Sequence, residues 1–181
     1  MLAWLAAGLC GCASAPPRAR PVQYLDWNTG TTFVVAARPM VFAHDRPQAA
    51  ARVRDYATVL AGYMDRGGRT TDVLLVYLWS TIDPRDEPRA AGAPPELLLT
   101  ADDRQIPLRP LAAGAQGVPP LGRPPVRHWV AGLYGTDLAT LRYLVGVRYL
   151  SLSLNAGADA VRYGLWADER ASLAALARSA Q

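Results

Sequence analysis

Two long β-type runs around a glycine-containing loop constrain the fold of this chain more than any other feature. They cover residues 55–64 and 72–82, and Asp65-Arg66-Gly67-Gly68-Arg69 lies between them. Such a pair is typical of an antiparallel hairpin. The second run is apolar on both faces, which predicts a strand covered on both sides. Several apolar positions of the first run also fit one face of a helix, but we favour a strand from Asp55.

Further short β-type runs, punctuated by Gly, Pro and Asp, extend the pattern along the chain. Residues 31–37 and 40–43 flank Pro39, while residues 96–109 and 147–166 each resemble a hairpin. Thr136 is predicted to cap a short helix, and Asp168 a C-terminal helix. We therefore expect a mainly β fold, an antiparallel β-sandwich (immunoglobulin-like or similar) of about eight strands with a short C-terminal helix.

The leader of the chain has a pattern of its own. Residues 2–9 are uncharged and almost wholly apolar, which is the length of a signal-peptide core and too short to span a bilayer. They run into Leu9-Cys10-Gly11-Cys12, which resembles the lipobox of bacterial prolipoproteins. By that resemblance Cys12, which follows Gly11, takes the lipid, whereas Cys10 follows the larger Leu9. The alternatives are a secretory signal cut after Ala13 or Ala15, or a short buried apolar segment.

The resemblance divides the chain into three parts. Residues 1–11 are expected to be the lipoprotein signal peptide, residues 12–21 a palmitate-bearing, proline-containing tether, and residues 22–181 the β-sandwich domain. Because Ala13 and Ser14 follow Cys12, the resemblance favours anchoring at the outer membrane, facing the periplasm. The mature chain would hold no second cysteine, so no intramolecular disulfide is expected.

Composition and charge exclude several classes of function. The chain is 51% hydrophobic and 19% charged, and all nineteen of its basic residues are arginine, with a net charge of +4. These arginines are scattered among acidic residues, so no nucleic-acid partner is expected. Two histidines and no remaining thiol are too few for a closed zinc site, and no phosphate-binding or dinucleotide motif is present. We expect no metal and no cofactor.

The candidates for catalysis are isolated residues. His44 and Asp45 are predicted to begin a loop, and Ser80 to close a core strand with a local hydroxyl bond. The acidic pairs fit turns or a helix cap, namely Asp86-Glu87, Asp102-Asp103 and Asp168-Glu169. Most aromatic side chains are expected in the core, and a minority at a binding surface. No catalytic constellation emerges from this sequence.

The sequence therefore predicts a non-catalytic accessory or assembly module that binds another envelope protein through a sheet edge or its proline-rich loops. That step rests on architecture alone. The alternative is a periplasmic ligand-binding or hydrolytic domain with its site in loops 83–95 and 112–125. A pocket gathering His128, Asp83 and a hydroxyl would favour this alternative.

Overall fold

A computed structural model describes residues 20–46, 53–81, 94–111, 118–154 and 160–180. These residues form ten strands and two helices, in the order β1 Val22–Asp26, β2 Thr31–Val35, β3 Met40–Arg46, β4 Val53–Arg66, β5 Arg69–Ser80, β6 Leu97–Ala101, β7 Arg104–Leu108, β8 Trp129–Gly135, α1 Leu138–Gly146, β9 Leu150–Leu154, β10 Val161–Ala167 and α2 Arg170–Ser179. The expected mainly β, antiparallel, sandwich-like fold with a short C-terminal helix is confirmed, with ten strands rather than about eight.

The predicted β4–β5 hairpin is the central element of the sheet. All of β5 pairs with β4, from Asp55 opposite Ser80 to Arg66 opposite Arg69. Gly67 and Gly68 both have positive φ, as a two-residue hairpin turn requires. Residues 73–78 are all buried, which confirms that β5 is covered on both faces.

Strand β4 changes its second partner along its length. It pairs with β3 as far as Val59 and with β2 from Gly62 onward. At Gly62 a Cβ atom would lie 2.6 Å from the carbonyl oxygen of Val34 and 2.7 Å from a methyl carbon of Val35. Only glycine fits there, because both neighbours belong to the adjoining β2 strand. Gly62 thus permits the close approach of β2.

The remaining strands complete one continuous antiparallel sheet. From β3 the pairing passes to β10, β9, β6 and β7. After β7 the chain returns beside β8, where Pro110 bridges Tyr134 and the main-chain N–H of Leu111 donates to Leu133 (2.7 Å). The sheet therefore folds over on itself and encloses a core that contains Phe42, Leu74 and Leu152, each 0% exposed.

Both helices agree with the predicted positions, but their first residues differ. Asp137, rather than Thr136, caps α1, because its carboxylate accepts from the main-chain N–H of Thr140 (2.6 Å). Asp168 accepts from the N–H of Arg170, one residue ahead of the N-cap Glu169 of α2. The helices contact each other and follow strands that run toward the end where β4 finishes. Within the described residues, no helix combines the length and apolarity that crossing a membrane requires.

Several expectations lie outside the described residues. They concern the leader with Cys10 and Cys12, the tether through residue 19, Asp83, the pair Asp86-Glu87, and the loop segments 83–93 and 112–117. The expectation for His44 and Asp45, which lie in a described segment, is wrong. His44 and Asp45 lie within β3 and pair with Asp55 and Arg54, because the strand continues to Arg46 instead of opening into a loop.

Candidate functional site

Three polar residues, of the types that enzymes use in nucleophilic catalysis, form one row across the sheet. His44 of β3 is opposite Asp55 of β4, and Asp55 is opposite Ser80 of β5. Directly opposed residues of antiparallel strands project to the same face. The row follows Phe42, Ala57 and Leu78 on the face that lines the core. It stands at the end of the sheet where β3 and β5 finish and β4 begins.

The order within this row determines what it can do. Asp55 stands between His44 and Ser80, so the two outer residues are separated by two strand spacings, roughly 10 Å. Nucleophilic catalysis by a serine needs the base within hydrogen-bond reach of the hydroxyl. The Asp55 carboxylate is 3% exposed and accepts from Nε of Arg46 at 2.6 Å. This row is therefore organised around a buried ion pair.

His44 and Ser80 each have a main-chain partner. Nδ1 of His44 lies 3.0 Å from the carbonyl oxygen of Arg162, which assigns the ring proton to Nδ1. The ring also lies against Tyr163, with centroids 5.7 Å apart. The Ser80 hydroxyl donates across the strand pair to the carbonyl oxygen of Arg54 (3.4 Å), whereas the sequence predicted a local bond within its own turn.

His128 is exposed and directly precedes Trp129, which is opposite Trp79, so the register of β5 and β8 carries His128 to the position beside Ser80. The remaining candidates lie elsewhere. Asp102 and Asp103 form the β6–β7 turn, as predicted, and Asp168 forms an ion pair with Arg170 at the start of α2. In the part of the chain that the structure describes, no three His, Cys, Asp or Glu side chains are grouped so that they could hold a metal ion.

The described parts of the two proline-rich loops are attached to the sheet. Tyr77 of β5 donates its hydroxyl to the carbonyl oxygen of Pro119 (2.7 Å), and Tyr134 of β8 donates to that of Pro95 (2.8 Å). Both tyrosines are almost fully buried, and burial raises the pKa of each hydroxyl above its ordinary value. Neither phenol is poised to act as an acid or a base near neutral pH.

A stripe of aromatic and arginine side chains crosses the outer face of the sheet; we call it the outer stripe, and it consists of Trp166, Arg54, Tyr56, Trp79, Trp129 and Arg123. The guanidinium of Arg54 lies 4.3 Å from the Trp166 ring centroid, and Tyr56 stacks on Trp79 at 4.4 Å. At the other end Arg123 lies 5.4 Å from the Trp129 ring centroid. These contacts use the ring faces within the molecule, so the outer stripe holds neighbouring strands and a loop together.

An open strand edge lies at the start of the domain. Among the described strands, β1 has β2 as its one neighbour, so one row of its main-chain groups faces away from the sheet. Val22 and Gln23 are exposed on this strand. An unpaired edge is a template for an added strand from another chain.

The turn that follows β1 carries the most exposed aromatic residue of the described chain. Trp27 is 86% exposed, compared with 59% for Trp166 and 71% for Tyr149. The Asp26 carboxylate accepts from the Thr29 hydroxyl (2.7 Å) and from the main-chain N–H of Asn28 (3.0 Å). These hydrogen bonds hold the pKa of Asp26 below its ordinary value. These hydrogen bonds hold the turn together without the Trp27 side chain.

Sequence reasoning anticipated that some aromatic residues are exposed, but it did not single out Trp27 or the β1 edge. Asp26-Trp27-Asn28-Thr29-Gly30 is a recognisable turn signal because of its Asp, Asn and Gly, and Trp27 stands directly after the Asp. We also compared this chain with known proteins. No family model, no curated protein and no solved structure matches it.

Proposed function

We propose that this chain is a lipid-anchored envelope protein whose β domain binds another envelope protein. In this proposal Cys12 carries the lipid, residues 12–21 are the tether, and the domain lies at the periplasmic face of the outer membrane. Partner binding takes place by strand addition at β1. The domain acts by binding and carries out no catalysis.

The observation that carries the binding role is the open edge of β1. This strand begins at Val22, directly after the proposed tether, and pairs with β2 alone among the described strands. Main-chain hydrogen bonds along such an edge give affinity to an extended segment of a partner, and exposed side chains give selectivity. The edge is short, five residues, which limits uncontrolled self-association.

Photo-crosslinking in membranes of the native host tests this proposal. We expect a photoreactive residue in place of Gln23, exposed on the β1 edge strand, to capture one discrete protein. The matched control replaces Arg162, which is also exposed but lies on β10, between β3 and β9. Equal capture from both positions, or capture from Arg162 alone, would contradict binding at the β1 edge.

The catalytic alternative is tested by single substitutions. We expect His44→Ala, His128→Ala and Ser80→Ala to leave the native phenotype close to wild type, provided that each variant still folds. The support for this expectation at His44 and Ser80 is the order of the row, in which Asp55 bonds to Arg46 and separates His44 from Ser80. The His128→Ala variant tests the histidine that the β5–β8 register carries to the position beside Ser80. Loss of the phenotype in one of these variants at unchanged thermal stability would favour an enzyme.

A further inference from the structure

We propose that Trp27, Arg66 and Arg69 dock on an anionic phospholipid surface; we call these three residues the tip surface. This inference goes beyond the proposed protein partner at β1, and it does not require lipid on Cys12. The turn after β1 and the turn between β4 and β5 lie at the same end of four adjacent strands, as the pairing of Asp26 with Thr31 and of Thr32 with Asp65 shows. At about 4.8 Å per strand, the tip surface spans roughly 15 Å.

Trp27 has the chemistry and the presentation of an interfacial anchor. Its 86% exposure means that the fold gains little from burying it. The turn around it is fixed by Asp26 and by the main-chain bond from the N–H of Gly30 to Asp26 (2.8 Å), with φ +65° at Gly30. Tryptophan is enriched at membrane–water interfaces, where the ring meets an apolar layer and the N–H stays wet. A rigid turn also loses little conformational freedom when it docks.

Arg66 and Arg69 supply the charge. They are directly opposite each other at the end of the hairpin, and like charges in this position oppose pairing. Both are exposed, and neither forms an ion pair with any residue that the structure describes. The nearby carboxylate of Asp65 accepts from the N–H of Gly68 (2.9 Å) inside its own turn. Two exposed arginines at directly opposite positions can both reach the phosphates of anionic lipids, which would relieve their mutual repulsion.

The position of the tip surface in the chain is compatible with a membrane nearby. From Cys12 to Val22 the chain can extend by at most about 35 Å, and β1 adds roughly 17 Å before Trp27. The apolar segment 2–9 precedes this stretch. With lipid on Cys12, as proposed above, so short a connection would keep the tip surface within reach of the same bilayer; docking of the tip surface itself does not depend on that anchor.

Quenching of tryptophan fluorescence by brominated lipids tests the proposal on the full chain. All variants carry Trp4→Phe, so that the leader does not contribute to the emission. Vesicles contain phosphatidylglycerol and phosphatidylcholine, brominated near the carbonyl end of the acyl chains, and circular dichroism checks that each variant folds. We expect quenching that disappears in Trp27→Phe and persists in Trp166→Phe, since the Trp166 ring lies against Arg54 on the outer face.

Further measurements test whether docking requires the charges of the lipid and of the two arginines. We expect quenching of Trp27 to fall in pure phosphatidylcholine, at high salt, and in the double variant Arg66→Gln/Arg69→Gln, with docking weakened about fivefold for each arginine. Inorganic phosphate in solution should leave it unchanged. Quenching that persists in Trp27→Phe, or that is equal in neutral vesicles, would overturn the proposal. A photo-crosslink from position 27 to a protein, without quenching, would assign this surface to a protein partner instead.

Discussion

At the scale of single residues, Asp102 combines two tasks in the β6–β7 turn. Its φ is +51°, a conformation that aspartate tolerates better than most side chains. Its carboxylate also accepts from the main-chain N–H groups of Arg148 (3.0 Å) and Tyr149 (2.7 Å), which join α1 to β9. One side chain thus fixes its own turn and a segment 46 residues away.

We predict that Asp102→Ala lowers the free energy of unfolding by about 2 kcal/mol, because two hydrogen bonds to a charged acceptor are lost and alanine is strained at positive φ. Urea denaturation measures this change. Asp103→Ala is the matched control, since Asp103 is exposed in the same turn. Equal, small effects at both positions would show that the contact to Arg148 and Tyr149 contributes nothing.

Asp102 also shows what a sequence can predict at this scale. Two adjacent aspartates between β-type runs predict a turn, because short polar side chains satisfy their neighbouring main-chain groups. Which of the two aspartates reaches Arg148 depends on how β6 and β9 pair. That pairing brings together segments distant in sequence, so no local pattern contains it. For the same reason, no local pattern predicts the row of His44, Asp55 and Ser80, whose members come from three strands.

At the scale of the elements, Gly62 allows β4 to pair with β2. We predict that Gly62→Ala lowers the free energy of unfolding by about 1–3 kcal/mol, because the new Cβ meets the Val34 carbonyl and Val35 at under 3 Å. Gly164→Ala in β10 is the control: a Cβ there meets nothing within 4 Å, so stability should be unchanged or slightly higher. Thermal melting of both variants measures the difference, and similar melting would refute the close approach.

Asp137, in the first turn of α1, is expected to make the stability of the fold depend on pH. The bond from the Thr140 N–H holds the pKa of Asp137 below its ordinary value. A carboxyl group with a lowered folded-state pKa stabilises the fold above its unfolded pKa, about 3.9, and loses this contribution as the pH falls through the folded value. Asp137→Ala should therefore cost about 1 kcal/mol at neutral pH and little in acid.

Asp137→Asn separates the cap from the charge. Asparagine caps helices about as well as aspartate, so most of the stability at neutral pH should remain, while the contribution of this position to the acid dependence disappears. Urea denaturation at pH 7 and in acid, on all three proteins, makes the comparison. Unaltered acid dependence in the asparagine variant would mean that Asp137 does not titrate with folding.

The boundaries of the elements divide into those set locally and those set by partners. The three hairpins and the uniformly apolar β5 follow from alternation, turn residues and glycines within a few positions. The length of β3 does not: it continues through His44 and Asp45 because Asp55 and Arg54 of β4 lie opposite. The N-cap of α1 is Asp137 and not the predicted Thr136, although both residue types are good caps. The Thr136 N–H donates to the Asp72 carbonyl of β5, so Thr136 still belongs to the strand pairing and the helix begins after it.

At the scale of the whole molecule, the proposed functional surfaces differ in whether the sequence alone can predict them. The lipidation site is proposed from a local motif and lies outside the described residues, whereas the β1 edge and the tip surface emerge only from strand order. An edge exists because no other described strand lies beside β1, and that is a property of the assembled sheet. In these proposals the anchor at Cys12, the β1 edge and Trp27 belong to one short N-terminal length of chain, and the β4–β5 hairpin brings Arg66 and Arg69 to the same end of the sheet as Trp27.

The anchor is the part of this arrangement that a single substitution can remove. We predict that Cys12→Ala abolishes incorporation of radiolabelled palmitate and releases the chain from the membrane fraction, because stable anchoring needs more than the tip surface can supply. Cys10→Ala is the matched control and should keep the label, since Leu9 before Cys10 fits the processing site poorly. Label that persists in Cys12→Ala would overturn the assignment. Retention of the unlabelled Cys12→Ala chain on anionic membranes, sensitive to salt, would instead reveal the contribution of Trp27, Arg66 and Arg69 in isolation.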